Sequence, residues 1–251
     1  MAGRADLGWL TARPIAHRGL HGLAPGVVEN CPRAFEAAIA GNYAIECDVQ
    51  PTADGDAVVF HDPTLDRLTV ANGRVDQSTV AALKATAFRS TDDRMITLSE
   101  LFALVQGRVP LVVEIKSEFD GKLALTERVA ALAAGYRGPL ALMSFDPGPI
   151  AWLKTHAPAL VRGIVAESHY AGAHWARLPD RLRADLSTLA HMDRTDPDFL
   201  SWRVADLPNA TTERFRGTLG RPLICWTVRT DDERVIAARH ADQVTFEGYL
   251  A

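Results

Sequence analysis

Two histidines, three carboxylates and two cations fall at or near the ends of short apolar runs in this chain. Pro14-Ile15-Ala16 stops at His17-Arg18-Gly19, Ala44–Val49 carries Glu46 and Asp48, and Leu111–Ile115 carries Glu114 and runs into Lys116. Strand side chains alternate faces, so Glu46 and Asp48 share one face while Ile45, Cys47 and Val49 share the other. Glu114 and Lys116 point together, away from Leu111, Val113 and Ile115. Carboxylates on one wall of neighbouring strands repel unless a cation joins them, which reads as a metal site. Oxygen donors with no soft ligand favour a hard divalent ion, Mg²⁺ or Ca²⁺, over zinc. His61 follows Ala57-Val58-Val59-Phe60 and would return to the same rim. A cation together with Arg18 and Lys116 would neutralise phosphoryl oxygens, and the histidines would move protons. That chemistry suits a phosphodiester.

The elements that must position these groups alternate along the chain. Strands are expected at 13–16, 43–49, 57–60, 109–115, 139–143, 161–165, 199–204, 222–227 and 243–246. Helical patterns lie at 32–40, 98–106, 122–134, 147–156, 208–218 and 231–239. Thr97-x-x-Glu100 fits a capping box, and Gly41 sits where helix 32–40 should end. Repeated strand–helix units give a parallel sheet with helices outside. The unit count and the 251 residues favour a closed α/β barrel of the (β/α)₈ TIM type over an open sheet. In such barrels the site lies at the C-terminal ends of the strands. An insertion is expected at about 62–96, after the second strand, with a turn at Asn72-Gly73 and a short helix over Ser78–Ala85. Residues 166–198 show no clean strand and one helix around 176–192. The whole of 1–251 reads as a single domain.

Bulk composition excludes several classes. A net charge of −4 with interleaved arginines argues against a nucleic-acid surface or a polybasic lipid contact. No window approaches the roughly 18 apolar residues of a membrane span, and the first nine residues do not read as a signal peptide. The three cysteines, Cys31, Cys47 and Cys225, are odd in number and form no C-x-x-C pair. They read as reduced thiols, with Cys47 facing the helix layer, which points to a cytoplasmic location. Oligomeric state has no signal in the sequence.

Taken in order, His17-Arg18-Gly19, Glu29-Asn30, Glu46-x-Asp48, His61-Asp62-x-Thr64-Leu65-Asp66-Arg67, Glu114-x-Lys116 and Trp226-Thr227-Val228 resemble the glycerophosphodiester phosphodiesterase family over almost the full chain. That resemblance implies a (β/α)₈ barrel with an insertion after the second strand. It also implies metal-dependent hydrolysis of glycerophosphodiesters to sn-glycerol 3-phosphate and an alcohol. By the same resemblance Glu46, Asp48 and Glu114 bind the metal, His17 and His61 form the acid/base pair, and Arg18 and Lys116 hold the phosphate. Glu29 and Asn30 support them. The family's usual Pro-Glu-Asn-Thr is here Val28-Glu29-Asn30-Cys31, and Val244-Thr245-Phe246-Glu247-Gly248 replaces a Thr-Asp pair before an aromatic and Pro. The insertion lacks a Gly-rich run. These departures bear on the alcohol group rather than on the reacting residues. Lys116 could instead balance Glu114, and Trp226 and Phe145 are either core or substrate platform. The other six histidines, His21 among them, read as structural or surface residues. Activity on lysophospholipids, or a non-catalytic glycerophosphate-binding barrel, are the rival readings.

Overall fold

Eight parallel strands close into a ring in the computed structural model of this chain, which describes residues 6–251. The reading of the first nine residues as lacking an apolar leader therefore falls partly outside the described residues. The strands are β1 (Ile15–Ala16), β2 (Ala44–Pro51), β3 (Ala57–Val59), β4 (Leu111–Ile115), β5 (Leu140–Ser144), β6 (Val161–Ala166), β7 (Phe199–Arg203), β8 (Leu223–Val228) and β9 (Gln243–Phe246). The ring runs β1-β2-β4-β5-β6-β7-β8-β9, and β9 closes it onto β1 with Ile15 opposite Thr245. The remaining strand, β3, lies outside the ring and pairs antiparallel with the end of β2, Val59 opposite Val49. This is the expected TIM barrel, with every expected strand displaced at its ends by at most two residues.

Alternation decides which residues face where. Ile45, Cys47, Val49, Leu111, Val113 and Ile115 pack outward with Leu98, Leu101, Val105 and Val129 of the surrounding helices. The opposite faces supply an inner floor of Ile15, Ala44, Val112, Ala141, Met143, Val165, Phe199 and Ile224. Above that floor, the same inward-pointing positions of β2 and β4 become acidic. All three cysteines are buried and free, Cys31 included.

Helices Pro32–Ala40, Leu98–Val105, Ala124–Ala133, Pro147–His156, Ala210–Leu219 and Asp231–His240 match the expected segments. The Thr97/Glu100 capping box is formed, and Thr230 with Glu233 makes a second one before the last helix. Gly41 caps its helix but keeps right-handed backbone, φ −78°; the left-handed turn falls on Asn42, φ 59°. Glycine is needed at 41 for space, because a Cβ there would lie 2.7 Å from the Tyr43 ring.

The expected single helix at 176–192 is not formed. A 3₁₀ turn (Ala173–Trp175) is followed by Asp180–Ser187 and then Met192–Thr195. Pro179 sets the start of the first helix, and left-handed Leu189, φ 53°, separates it from the second. The 62–96 segment lies between β3 and the helix Leu98–Val105. It holds Val75–Gln77 as a 3₁₀ turn and Val80–Ala85 as a helix, and Val58, Phe60, Leu65, Val75, Leu83, Phe88 and Met95 form its own core. No helix among the described residues is long and apolar enough to cross a membrane.

Candidate active site

The sequence-selected residues converge at the C-terminal mouth of the barrel. His17 ends β1, Glu46 and Asp48 lie on β2, Glu114 lies on β4 with Lys116 just past its end, and His61 follows β3. Register brings the acids together: Asp48 is the direct ladder partner of Glu114. One ligand atom from each of Glu46, Asp48 and Glu114 lies within 4.8 Å of the others, and all three are buried. A pocket of about 280 Å³ opens over them. One wall carries His17, Arg18, Glu46, His61, Glu114 and Lys116; the other carries Phe145, Arg203, Trp226 and Arg229.

The cations are tied to the acids. Lys116 Nζ lies 2.7 Å from Asp48 Oδ1 and 2.7 Å from Glu114 Oε1. The lysine therefore balances two carboxylates, where the sequence suggested one. Arg18 lies along Asp48, Nε to Oδ2 3.3 Å, and donates from Nη1 to Glu29 at 2.8 Å; its backbone N–H donates to Glu46 at 3.0 Å. The Asn30 amide donates to Asp48 Oδ2 at 2.9 Å and accepts from the Asp48 backbone N–H at 3.3 Å. Arg18 (φ 54°) and Asn30 (φ 57°) both adopt left-handed backbone, costly conformations that here aim side chains into the site.

The electrostatics leave room for one more positive charge. Burial, with Asp48 and Glu114 adding to it, pushes the Glu46 carboxyl well above the usual range. Burial also pushes Asp48 up, but Lys116, His61 and Arg18 outweigh it and hold this carboxyl well below. A protonated or cation-bound Glu46 relieves the strain. The donor set is three carboxylates with no thiolate or imidazole, and a cationic head already sits between two of them, so the residues fit a hard divalent ion.

Each histidine is held by a carboxylate. His17 Nδ1 lies 2.7 Å from Glu247 Oε2, and His61 Nδ1 lies 2.7 Å from Asp62 Oδ1. With Nδ1–H donated to the acid, each Nε2 is left free of that acid, an acceptor when the ring is neutral and a donor when it is charged. Burial lowers His17 to about 4 against the opposing effect of its hydrogen bond to Glu247, so the ring is neutral near pH 7. Burial raises Glu247, but His17 and Arg229 outweigh it and bring the carboxyl down to about 2. The second acid is held in turn. Arg67 donates to Asp62 from Nε at 2.6 Å and bridges to Glu29 at 2.7 and 2.8 Å, linking the insertion to Arg18. Gln50 donates to the His61 carbonyl at 2.8 Å.

Sequence reasoning gave Glu247, Asp62, Arg67 and Gln50 no role. Asp62 and Arg67 stand within the run that singled out His61, and adjacency to that histidine was a readable signal. Glu247 lies in the 244–248 segment that departs from the family pattern, but nothing tied it to His17, which it meets across 230 residues of chain; that departure thus touches His17 and not the alcohol group alone.

Trp226 and Phe145 both face the pocket and are also packed against their neighbours. Trp226 donates from Nε1 to the Ser201 carbonyl at 3.0 Å and meets Phe145 edge-on, centroids 5.5 Å apart. Phe145 leans on Trp175 at 5.1 Å. Both rings line the pocket.

Fold and pocket together define a (β/α)₈ barrel protein whose mouth holds a buried acidic trio flanked by two carboxylate-bound histidines. The chain belongs to the glycerophosphoryl diester phosphodiesterase family, whose model matches residues 17–245. A glycerophosphodiester phosphodiesterase of Caldanaerobacter subterraneus is 33% identical over 161 residues, 60% of this chain and 65% of that protein. A probable glycerophosphodiester phosphodiesterase 1 of Mycobacterium tuberculosis is 31% identical over 170 residues, 58% of this chain and 61% of that one. The chain thus spans under two thirds of these curated relatives. In structure it is similar to an Oleispira antarctica phosphodiesterase solved with its product sn-glycerol-3-phosphate, with a TM-score of 0.77 at 20% identity over 95% of this chain and 94% of that one. This likeness concerns the fold.

Proposed function

We propose that the protein hydrolyses glycerophosphodiesters to sn-glycerol 3-phosphate and an alcohol. The observation that carries this reading is the meeting, in one pocket of about 280 Å³, of two carboxylate-bound histidines with a buried acidic trio. Family membership supports it. Glu46, Asp48 and Glu114 would hold Mg²⁺ or Ca²⁺, which when bound supplies positive charge to the phosphoryl oxygens. One histidine takes the proton of the nucleophile, either water or the glycerol 2-hydroxyl. The other, which enters the step as an imidazolium, gives its Nε2 proton to the departing alkoxide, so the pair ends with no net gain or loss. Glu247 and Asp62 keep Nδ1 of each ring protonated and leave Nε2 to do this work. Arg18 and Lys116 offset charge that grows on phosphorus-bound oxygen, while Glu29 and Asn30 hold Arg18 and Asp48 in place. Trp226 and Phe145 present apolar faces to the organic part of the ester.

The pocket's small volume favours a deacylated ester over a lysophospholipid. Release of choline from glycerophosphocholine and from lysophosphatidylcholine, leaving sn-glycerol 3-phosphate and lysophosphatidic acid respectively, with and without chelator, tests this. Turnover of the first, lost in chelator, is expected. No turnover of either compound, or turnover undiminished in excess chelator, would overturn the reading.

A further inference from the structure

We propose that His17, His21 and Glu247 form a second metal site, selective for a borderline ion such as Zn²⁺ or Co²⁺, whose occupation switches the enzyme off. One ligand atom from each of these residues lies within 4.8 Å of the others. His21 Nε2 is buried and has no hydrogen-bond partner among the described residues. A buried, unpaired ring nitrogen is costly, and a cation is one of the few ligands that satisfies it.

The local chain explains why His21 stands there. After β1 the backbone turns left-handed at Arg18 and Gly19 (φ 79°), and His21 N–H donates to the Gly19 carbonyl at 3.1 Å. Gly19 is required: its φ is left-handed, and a Cβ would lie 2.8 Å from the Ala34 Cβ. The turn brings His21 back beside His17, four residues earlier, with no helix to impose that spacing. Gly22, also left-handed, stands in open space with nothing near its Cβ position, so a small shift of the loop meets no steric bar there. Such a shift is needed, because tetrahedral zinc at about 2.0–2.1 Å from its donors requires them to draw to within about 3.3 Å of one another.

Donor chemistry separates the two sites. Two imidazoles and one carboxylate suit zinc or cobalt, whereas the oxygen-only trio suits Mg²⁺ or Ca²⁺. Arg229, which donates to Glu247 at 2.9 Å, competes with an ion there, but its side chain is half exposed and free to swing out. An ion on the His17 ring would take the Nδ1 lone pair. The ring proton then moves from Nδ1 to Nε2, so none is lost from the residue. Nε2, now N–H, no longer accepts a proton from the nucleophile, and the metal-bound ring cannot become an imidazolium able to protonate the leaving group. The hard ion stays in place while the proton chemistry stops.

Inhibition rests on the proposed role of His17, but metal binding does not, and the experiment separates them. Co²⁺ is titrated into full-length protein in excess Mg²⁺, following the visible ligand-field bands of low-coordinate cobalt. Wild type should develop these bands with one equivalent, and His21→Ala should lose them or need at least tenfold more cobalt. In parallel, Zn²⁺ should inhibit glycerophosphocholine turnover by wild type, while His21→Ala keeps its Mg²⁺-supported turnover and resists zinc. His21→Asn, nearer in size, serves if the alanine variant does not fold. Equal cobalt spectra in wild type and variant, or equal zinc sensitivity, would overturn the second site. If no substrate turns over, the cobalt titration alone decides.

Discussion

His17 and His61 each have one nitrogen on a carboxylate and one left for the pocket, so losing either ring removes a proposed proton carrier without opening the core. His17→Ala and His61→Ala should each lower kcat by about 10²–10⁴ while the protein stays folded; wild-type-like rates from either would show the proton chemistry misassigned. His17 also makes stability depend on pH. Its pKa falls from 6.5 to about 4 on folding because burial disfavours the imidazolium. Between those values the unfolded chain binds a proton that the native one does not, so this contribution is complete above about 6.5 and is lost as pH falls toward 4. Glu247, lowered from 4.5 to about 2, continues the loss at still lower pH. Melting temperature should therefore decline from pH 6.5 to 4, and His17→Asn should flatten the decline; an unchanged slope would count against it. Lys116 sits between Asp48 and Glu114, so Lys116→Met leaves buried acids unpaired. The variant should melt well below wild type in chelator and recover much of the difference in Mg²⁺ or Ca²⁺, with kcat still strongly reduced. A variant as stable as wild type without metal would contradict this placement. At this scale the sequence was most readable where residues cluster at strand ends, as His17, Glu46, Asp48 and Glu114 do. It was silent on Glu247, whose partner lies at the far end of the chain.

Strands were legible because each is a short apolar run bounded by turn residues, and period-two alternation on β2 and β4 separated acids from core. The 166–198 stretch was not. Its polar, arginine-rich pattern resembles one amphipathic helix, but Pro179 and left-handed Leu189 divide it, which periodicity alone does not reveal. Also illegible was the pairing of Gly163 on β6 with Phe199 on β7. The Phe199 ring fills the barrel floor by occupying the space over the glycine, where a Cβ would lie 2.3 Å from ring carbon. Gly163→Ala should cost about 1–3 kcal/mol by overpacking, read from urea unfolding, and Phe199→Leu in the same chain should recover part of it. No loss in the single variant would mean the floor is looser than its packing implies.

For the whole molecule, an ion that binds the folded trio and not the unfolded chain stabilises by mass action. Melting temperature should rise with Mg²⁺ or Ca²⁺ concentration, and Glu46→Gln with Glu114→Gln should abolish the rise; an equal rise in that variant would place the ion elsewhere. Ring closure has a different consequence, one of timing. His17 leaves a ribosome 230 positions before Glu247, the acid that holds its ring. β1 likewise waits for β9 to complete its pairing. Until residue 247 is made, the growing chain carries the histidine without that acid, although the acidic trio is already encoded by residue 114. The pocket is therefore completed only when β9 docks on β1, so a growing chain lacks the closed site until its barrel is shut.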